Sequence, residues 1–390
     1  MLPGRVNMAK LIKSMFKSGV AAMALVASFV AAPAAIANDK PLGGALAKDT
    51  ALWQTYVAQF VATDGRVIDN VNSGISHTES QGYGMLLAVA ANDKSSFERI
   101  WAFTQSTMYI REDGLGAWKF EPKAVDVASN DVAASAQAVT TPVAGQITDM
   151  NNATDGDILI AWALAEAGAA GFGEQYSARA VQLSQALRST VYNAGSFGLQ
   201  MMPGKIGFSA AERGGKPVVN LSYWVFPAFD RLAVLAPQPM WSQLTKSGKA
   251  LVRASQSFAS ALPSDWLALN VENNTISSAT GFDDAFSYNG IRIPLYLAMT
   301  GPKSRQLLRA SFEQWFSLEG PLKTVGANDR SLRDTLSDPG YEAIRSLYKC
   351  ATGSTPFPAQ TLTSLDINYY PATLQMLAII AARQSYPKCV

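Results

Sequence analysis

The chain is 390 residues long, 48% hydrophobic and only 16% charged, which suits a large packed core and excludes a disordered chain. Its 32 Lys and Arg against 30 Asp and Glu give a net charge of +2, too little to hold nucleic acid by charge. A single histidine, His77, and the lack of GxxxxGK[ST] and GxGxxG runs exclude most metal sites, Ser-His and Cys-His nucleophiles and nucleotide loops. An enzyme built on this chain would work through carboxylates.

The first element is an address. Arg5, Lys10, Lys13 and Lys17 form a basic head, an apolar run follows over 20–32, and Ala35-Ile36-Ala37 is a small-residue cleavage site. This pattern predicts a signal peptide over 1–37, cut after Ala37, and one domain over 38–390. Without the four basic residues of the leader, 28 basic residues face 30 acidic ones, a net charge of −2. No later apolar run is long enough to cross a bilayer, so no stable membrane insertion is expected.

Apolar residues three and four apart then predict a helix over 81–92. Ahead of it runs Ser76-His77-Thr78-Glu79-Ser80-Gln81-Gly82-Tyr83-Gly84-Met85, with Thr78 or Ser80 as N-cap, Glu79 at the helix mouth and a turn-capable Gly-Tyr-Gly. His77 reads as a hydrogen-bonded loop residue rather than a catalyst. The Ala/Val/Ser/Gln-rich stretch 123–146 reads as a surface insertion or long loop. Ala153-Thr154-Asp155-Gly156-Asp157 opens a helix over 157–170, ended by Gly171. Two residues apart, Asp155 and Asp157 cannot share a helix face, so they have separate jobs.

Further helices are expected over 176–192, 241–262, 304–316, 341–350 and 371–384, with one short alternating strand at 219–223. Gly301-Pro302 and Pro339-Gly340 mark two of their starts. The pattern is that of one mostly helical domain whose loops carry the unusual residues. Cys350 and Cys389 are either paired or two free thiols. Export permits pairing, which is the expectation, and a bridge there is worth about 4 kcal/mol in the loop-entropy account. Trp118, Tyr223, Trp224 and Trp266 sit in loops or motif edges and are candidates for stacking on a flat ligand, whereas Trp162 reads as core.

The segments from 78 to 85 and from 153 to 163 resemble the acid-bearing motif and the signature segment of glycoside hydrolase family 8. Trp118-Lys119-Phe120, the run 202–208, Ser222-Tyr223, Ser264-Asp265-Trp266 and Tyr288-Asn289-Gly290-Ile291-Arg292 also resemble segments of that family, in its chain order. The resemblance implies an all-α (α/α)6 barrel with a substrate cleft, no metal or cofactor, and endo-hydrolysis of β-1,4-glucan with inversion. The nearest-looking branch implies a secreted or periplasmic place beside bacterial cellulose-synthase machinery. Within this reading Glu79 is the general acid, and Asp155 grips and distorts the sugar at the cleavage point. Tyr83, Trp118, Tyr223, Trp266, Tyr288 and Arg292 line the substrate path, Arg292 pairing with a cleft carboxylate.

One position departs from the pattern. The family's water-activating aspartate falls at Asn289, and an amide is not a useful base in water. Asp284 or its neighbour Asp283 in its place, Asp155 itself, and weak or absent hydrolysis are the readings left open. A chitosanase or xylanase of the same fold and a non-hydrolytic glucan-binding accessory are the corresponding alternatives in function.

Overall fold

A computed structural model describes residues 40–123 and 144–390, and helices dominate it. The early helices are α1 (Thr50–Phe60), α2 (Thr78–Ala90), α3 (Lys94–Thr107), α4 (Thr154–Ala169), α5 (Glu174–Leu187) and α6 (Phe226–Leu235). The later ones are α7 (Pro239–Ala254), α8 (Arg292–Met299), α9 (Arg305–Phe316), α10 (Pro339–Gly353) and α11 (Tyr369–Ser385). The signal peptide expected over 1–37 and most of the insertion expected over 123–146 lie outside the described residues. The described end of that insertion is not loop: Gly145–Asp149 is a strand paired antiparallel with Lys119–Pro122.

Several expected boundaries move for identifiable reasons. The helix expected over 176–192 stops at Leu187, where a 3-10 turn, Arg188–Thr190, feeds the strand Val191–Asn193 and its hairpin partner Leu199–Met201. The helix expected to reach 262 ends at Ala254, followed by a 3-10 turn in which the Ser255 hydroxyl donates back to the Leu251 carbonyl at 2.8 Å. Of the strand expected at 219–223, only Val218–Val219 pairs, with Leu267–Asn270. Just beyond, the Asn220 side chain accepts from the Ser222 N–H at 3.1 Å and starts the 3-10 turn Leu221–Tyr223. Helices α1, α3, α6 and α8 add to those expected.

Helix packing closes on itself. Helix α2 packs on α4, α4 on α6, α6 on α8, α8 on α11, and α11 returns to α2, while α10 packs against both α8 and α11. Around this ring, α1 lies on α11, α3 on α2, α5 on α4, α7 on α6 and α9 on α8. The architecture is an (α/α)6 barrel. Ring helices α2 and α8 are buried on nearly every side, since both faces meet other helices: all eight residues of α8 and twelve of the thirteen in α2 are buried. Trp162 is core, as expected.

The tightest contact in the ring is α2 against α4, and glycine makes it. Gly82 is inside α2, not in a turn, and a Cβ there would stand 2.6 Å from the Leu159 Cβ. A Cβ on Gly156 would stand 2.1 Å from the Thr78 hydroxyl oxygen and 2.8 Å from the Glu79 nitrogen. Two missing side chains thus let the helix starts that carry Glu79 and Asp155 meet.

Cys350 of α10 and Cys389 are joined, closing a loop with a sequence separation of 39 and anchoring the C-terminal turn Pro387–Cys389. Reduction, or a Cys350→Ala and Cys389→Ala pair, is expected to cost about 4 kcal/mol, read as a lower urea midpoint. An unchanged midpoint would count against a stabilising role for the bridge.

Candidate active site

Two helix N-termini and one buried guanidinium build the site. Helix α2 starts at Thr78, and its cap is His77 rather than Thr78 or Ser80. His77 Nδ1 accepts from the Ser80 N–H at 3.0 Å, and the Ser80 hydroxyl accepts from the His77 N–H at 3.0 Å. This assigns the ring proton to Nε2, which faces the Asp69 carboxylate at 3.6 Å. His77 is hydrogen-bonded, as expected, but it ends the short strand Ser76–His77 and caps α2 instead of lying in a loop. Glu79 and Asp155 thereby fall in the first turns of α2 and α4, where the helix dipole favours negative charge.

Arg292 opens α8 and is buried between them. Its Nη1 donates to Glu79 Oε2 and, at 3.0 Å, to Asp155 Oδ2. Its Nη2 donates to the Ser222 hydroxyl at 2.8 Å and to Asn289 Oδ1 at 2.7 Å. Two carboxyls against one cation leave the pair one proton short of balance in a poorly solvated place. Burial and the adjacent Glu79 charge push the Asp155 carboxyl well above its ordinary range. For Glu79 burial acts upward, but the Arg292 charge and the hydrogen bonds with Asp155 and Arg292 hold it below its ordinary value. The free cleft therefore stores its proton on Asp155, facing an ionised Glu79, whereas catalysis as read from the sequence calls for a raised Glu79.

Asp157 does have a separate job, as its spacing requires. It accepts from the Gly116 N–H at 2.8 Å, the Tyr109 hydroxyl at 3.1 Å and Asn152 Nδ2 at 3.2 Å, so it ties the 109–116 loop to α4. Burial raises its carboxyl to about 7 against those bonds.

Above the pair lies a cleft of about 590 Å³. Among the residues expected at the site, Glu79, Asp155, Trp118, Tyr223, Tyr288, Asn289 and Arg292 all line it. Trp118 is positioned by backbone bonds, its carbonyl accepting from Thr78 at 3.0 Å and its N–H donating to Asn151 at 2.9 Å. Tyr288 is 41% exposed, and its hydroxyl donates to Asp334 at 2.6 Å. Sequence reasoning missed Asp69, Asp338, Tyr341 and Tyr370, which also line the cleft. Tyr288, Tyr341 and Tyr370 form a cluster, successive ring centroids standing 6.3 Å apart. Tyr341 opens an expected helix and Tyr370 stands one residue ahead of another, and a helical pattern does not distinguish a core face from a cleft face.

Other expectations need correction. Tyr83 is fully buried inside the ring, its hydroxyl sharing a hydrogen bond with that of Tyr296, so it supports the site and does not line it. Trp224 is likewise core, its indole N–H donating to the Leu244 carbonyl at 2.9 Å. Trp266 is half-buried outside the cleft lining, stacked on Phe282 at 4.5 Å and on Phe208 at 5.6 Å, with Tyr223 edge-on at 6.4 Å. Asp284 does not reach the cleft, because its carboxylate is held by the Ser278 hydroxyl and, at 3.0 Å, by Asn328 Nδ2. Asp155 and Glu79 share one donor nitrogen, Arg292 Nη1, which holds them inside the separation of about 6.5–9.5 Å that an inverting acid and base need for water between them.

Comparison with known proteins agrees with this architecture. The family described as glycosyl hydrolases family 8 matches residues 13–319. An endoglucanase of Cellulomonas uda is 32% identical over 352 residues, covering 87% of this chain and 89% of the relative. A probable endoglucanase of Novacetimonas hansenii is 32% identical over 335 residues, covering 84% and 89%. The crystal structure of a family 8 endoglucanase from Klebsiella pneumoniae superposes with a TM-score of 0.72 at 32% identity, over 86% of this chain and 99% of that one. An endo-β-1,4-glucanase from Acetobacter xylinum gives 0.71 at 29% identity, over 87% and 98%. With an (α/α)6 barrel, a carboxyl pair on a shared arginine, and a match running through both helix starts that bear the pair, this chain belongs to glycosyl hydrolase family 8.

Proposed function

We propose that this glycosyl hydrolase is an exported endo-β-1,4-glucanase that cuts cellulose-like glucan with inversion at the anomeric carbon. The observation that carries the reading is the Glu79–Asp155–Arg292 cluster beneath a cleft walled by Trp118, Tyr223, Tyr288, Tyr341 and Tyr370. Flat aromatic faces suit the apolar faces of glucosyl rings. Glu79 is the general acid: as sugar displaces water, the proton stored on Asp155 passes to Glu79 and from there to the bridging oxygen. Asp155, then ionised, stabilises the oxocarbenium-like sugar.

Each of the four acids lining the cleft has a partner. Glu79 and Asp155 are offset by Arg292 and a proton, Asp69 accepts from Asn72 at 2.6 Å beside His77, and Asp338 accepts from Asn368 at 3.1 Å. The leader pattern over 1–37 and the resemblance to the cellulose-synthesis branch support an exported protein working beside cellulose-synthase machinery. Among the described residues, no helix is long and apolar enough to cross a membrane.

Reducing-end release from carboxymethylcellulose, xylan and chitosan, measured side by side, is expected to favour the glucan. Proton NMR of cellopentaose cleavage should show the α-anomer first. A preference for xylan or chitosan, binding of cello-oligosaccharides without turnover, or initial β-anomer would each defeat the reading.

A further inference from the structure

By the family resemblance Asn289 takes the position of the base, and both ends of its amide have partners. Its Oδ1 accepts from Arg292 Nη2 at 2.7 Å, and its Nδ2 faces Asp265 Oδ2 at 3.4 Å. The partners dictate that orientation, since a guanidinium only donates and an ionised carboxylate only accepts. Asp265 is itself buried and fixed. Its Oδ1 accepts from the Ser287 and Gly290 N–H groups, both at 2.8 Å, and its Oδ2 from the Asn289 N–H at 3.3 Å. Asn289 lines the cleft and its amide contacts Asp265, which does not line it.

We propose that Asn289 and Asp265 act together as the base, a proton relay that replaces the missing aspartate. The inference rests on the glucanase reading above. In the step, Asn289 Oδ1 takes a proton from the attacking water while Nδ2 releases one to Asp265 Oδ2. The amide becomes its imidic acid tautomer, and the Asp265 carboxylate becomes a carboxylic acid. The water's oxygen forms the new bond to the anomeric carbon with its own electron pair. The old carbon–oxygen bond breaks, its electron pair leaves with the bridging oxygen, and that oxygen takes the proton from Glu79. Asp265 then returns its proton to Nδ2, Oδ1 gives its own to solvent, and Glu79 is recharged from solvent through Asp155. Relative to the starting enzyme, only one water and one glycosidic bond are consumed.

The electrostatics suit an acceptor. Burial raises the Asp265 carboxyl to about 6 against the bonds from Ser287, Gly290 and Asn289. Across Asn289 the charged neighbour is Arg292, with Glu79 and Asp155 on its Nη1, and the Ala285–Phe286 strand beside Asp265 brings no charge. Asp265 touches the amide and not the sugar, so it is a positioning residue in this scheme, and its test must separate relay from loop support.

The test compares Asp265→Asn, Asn289→Ala and the exchanged pair D265N/N289D in the full chain, on cellopentaose. Intact mass confirms that Asn289-Gly290 has not deamidated. Each single substitution is expected to lower kcat by roughly a hundredfold or more, with KM little changed. The exchanged pair, which moves the carboxylate to position 289 and keeps one amide opposite it, should recover kcat to within about tenfold of wild type. Asp265 must be ionised to accept, so the wild-type acid limb should lie near its value of about 6. In the exchanged pair the limb should move lower, because Arg292 favours the ionised form of a carboxylate at 289. If Asp265 only supports its loop, D265N lowers the unfolding midpoint and raises KM, leaves kcat and the acid limb in place, and overturns the relay. Near wild-type kcat in Asn289→Ala overturns it even if D265N does not fold. A wild-type chain that cuts no glucan defeats the glucanase reading and this one with it. One that cuts glucan while both single variants keep its kcat and acid limb defeats the relay alone.

Discussion

Glu79→Gln is expected to lower turnover of carboxymethylcellulose by roughly a hundredfold to ten-thousandfold, the span that general acid catalysis supplies. The glutamine keeps the shape and still offers Oε1 to Arg292 Nη1, so the fold and sugar binding should survive. It cannot pass a proton to the bridging oxygen. An aryl cellobioside with an acidic phenol needs little protonation on leaving, so its hydrolysis should fall much less than that of the polysaccharide. The charge lost from position 79 is also one that raises Asp155, so Asp155 should titrate closer to the ordinary carboxylate range in the variant. Carbon NMR of labelled aspartate can follow that change. Polysaccharide turnover close to wild type would remove Glu79 from the role of acid.

The second large effect is expected at Arg292. Arg292→Met leaves Glu79 and Asp155 buried together without their cation, and breaking a buried pair in this way costs about 3–5 kcal/mol. Urea unfolding at neutral pH should show that loss, together with abolished activity. The deficit should shrink as pH falls, because a proton on Glu79, added to the one already on Asp155, then neutralises both carboxyls without the cation. Arg292→Lys should rescue only part of it. A single ammonium cannot serve Glu79 and Asp155 from one nitrogen and Ser222 and Asn289 from another, as the planar guanidinium does. A Met variant that unfolds at the wild-type midpoint would show that the two carboxyls do not depend on this cation.

Why these residues meet follows from backbone as much as from side chains. Glycines at 82 and 156 allow α2 and α4 to touch at their starts, and the His77 cap begins α2 early enough to place Glu79 in its first turn. In sequence, Gly82-Tyr83-Gly84 looks like a turn, because glycine disfavours helix when nothing else is known. In the barrel, the gain from packing a bare helix face against α4 outweighs that preference. The same competition misplaced Tyr83, whose position beside Glu79 suggested the cleft but whose place on the helix points it into the ring.

The family resemblance pointed to the acids at 79 and 155, and local pattern was enough for the helical class, most helix positions and the core place of Trp162. These depend on period, capping and motif spacing, all of which act within a few residues. Pairing across the barrel was decided elsewhere. Arg292 reaches Glu79 from 213 positions away and Asp155 from 137, and no periodicity carries such a distance. For the same reason Asp284 seemed an available base while Asp265, 24 positions from Asn289, did not. Proximity in the chain is a poor guide to which carboxyl stands beside a given side chain, because only closure of the helical ring brings their loops to one end.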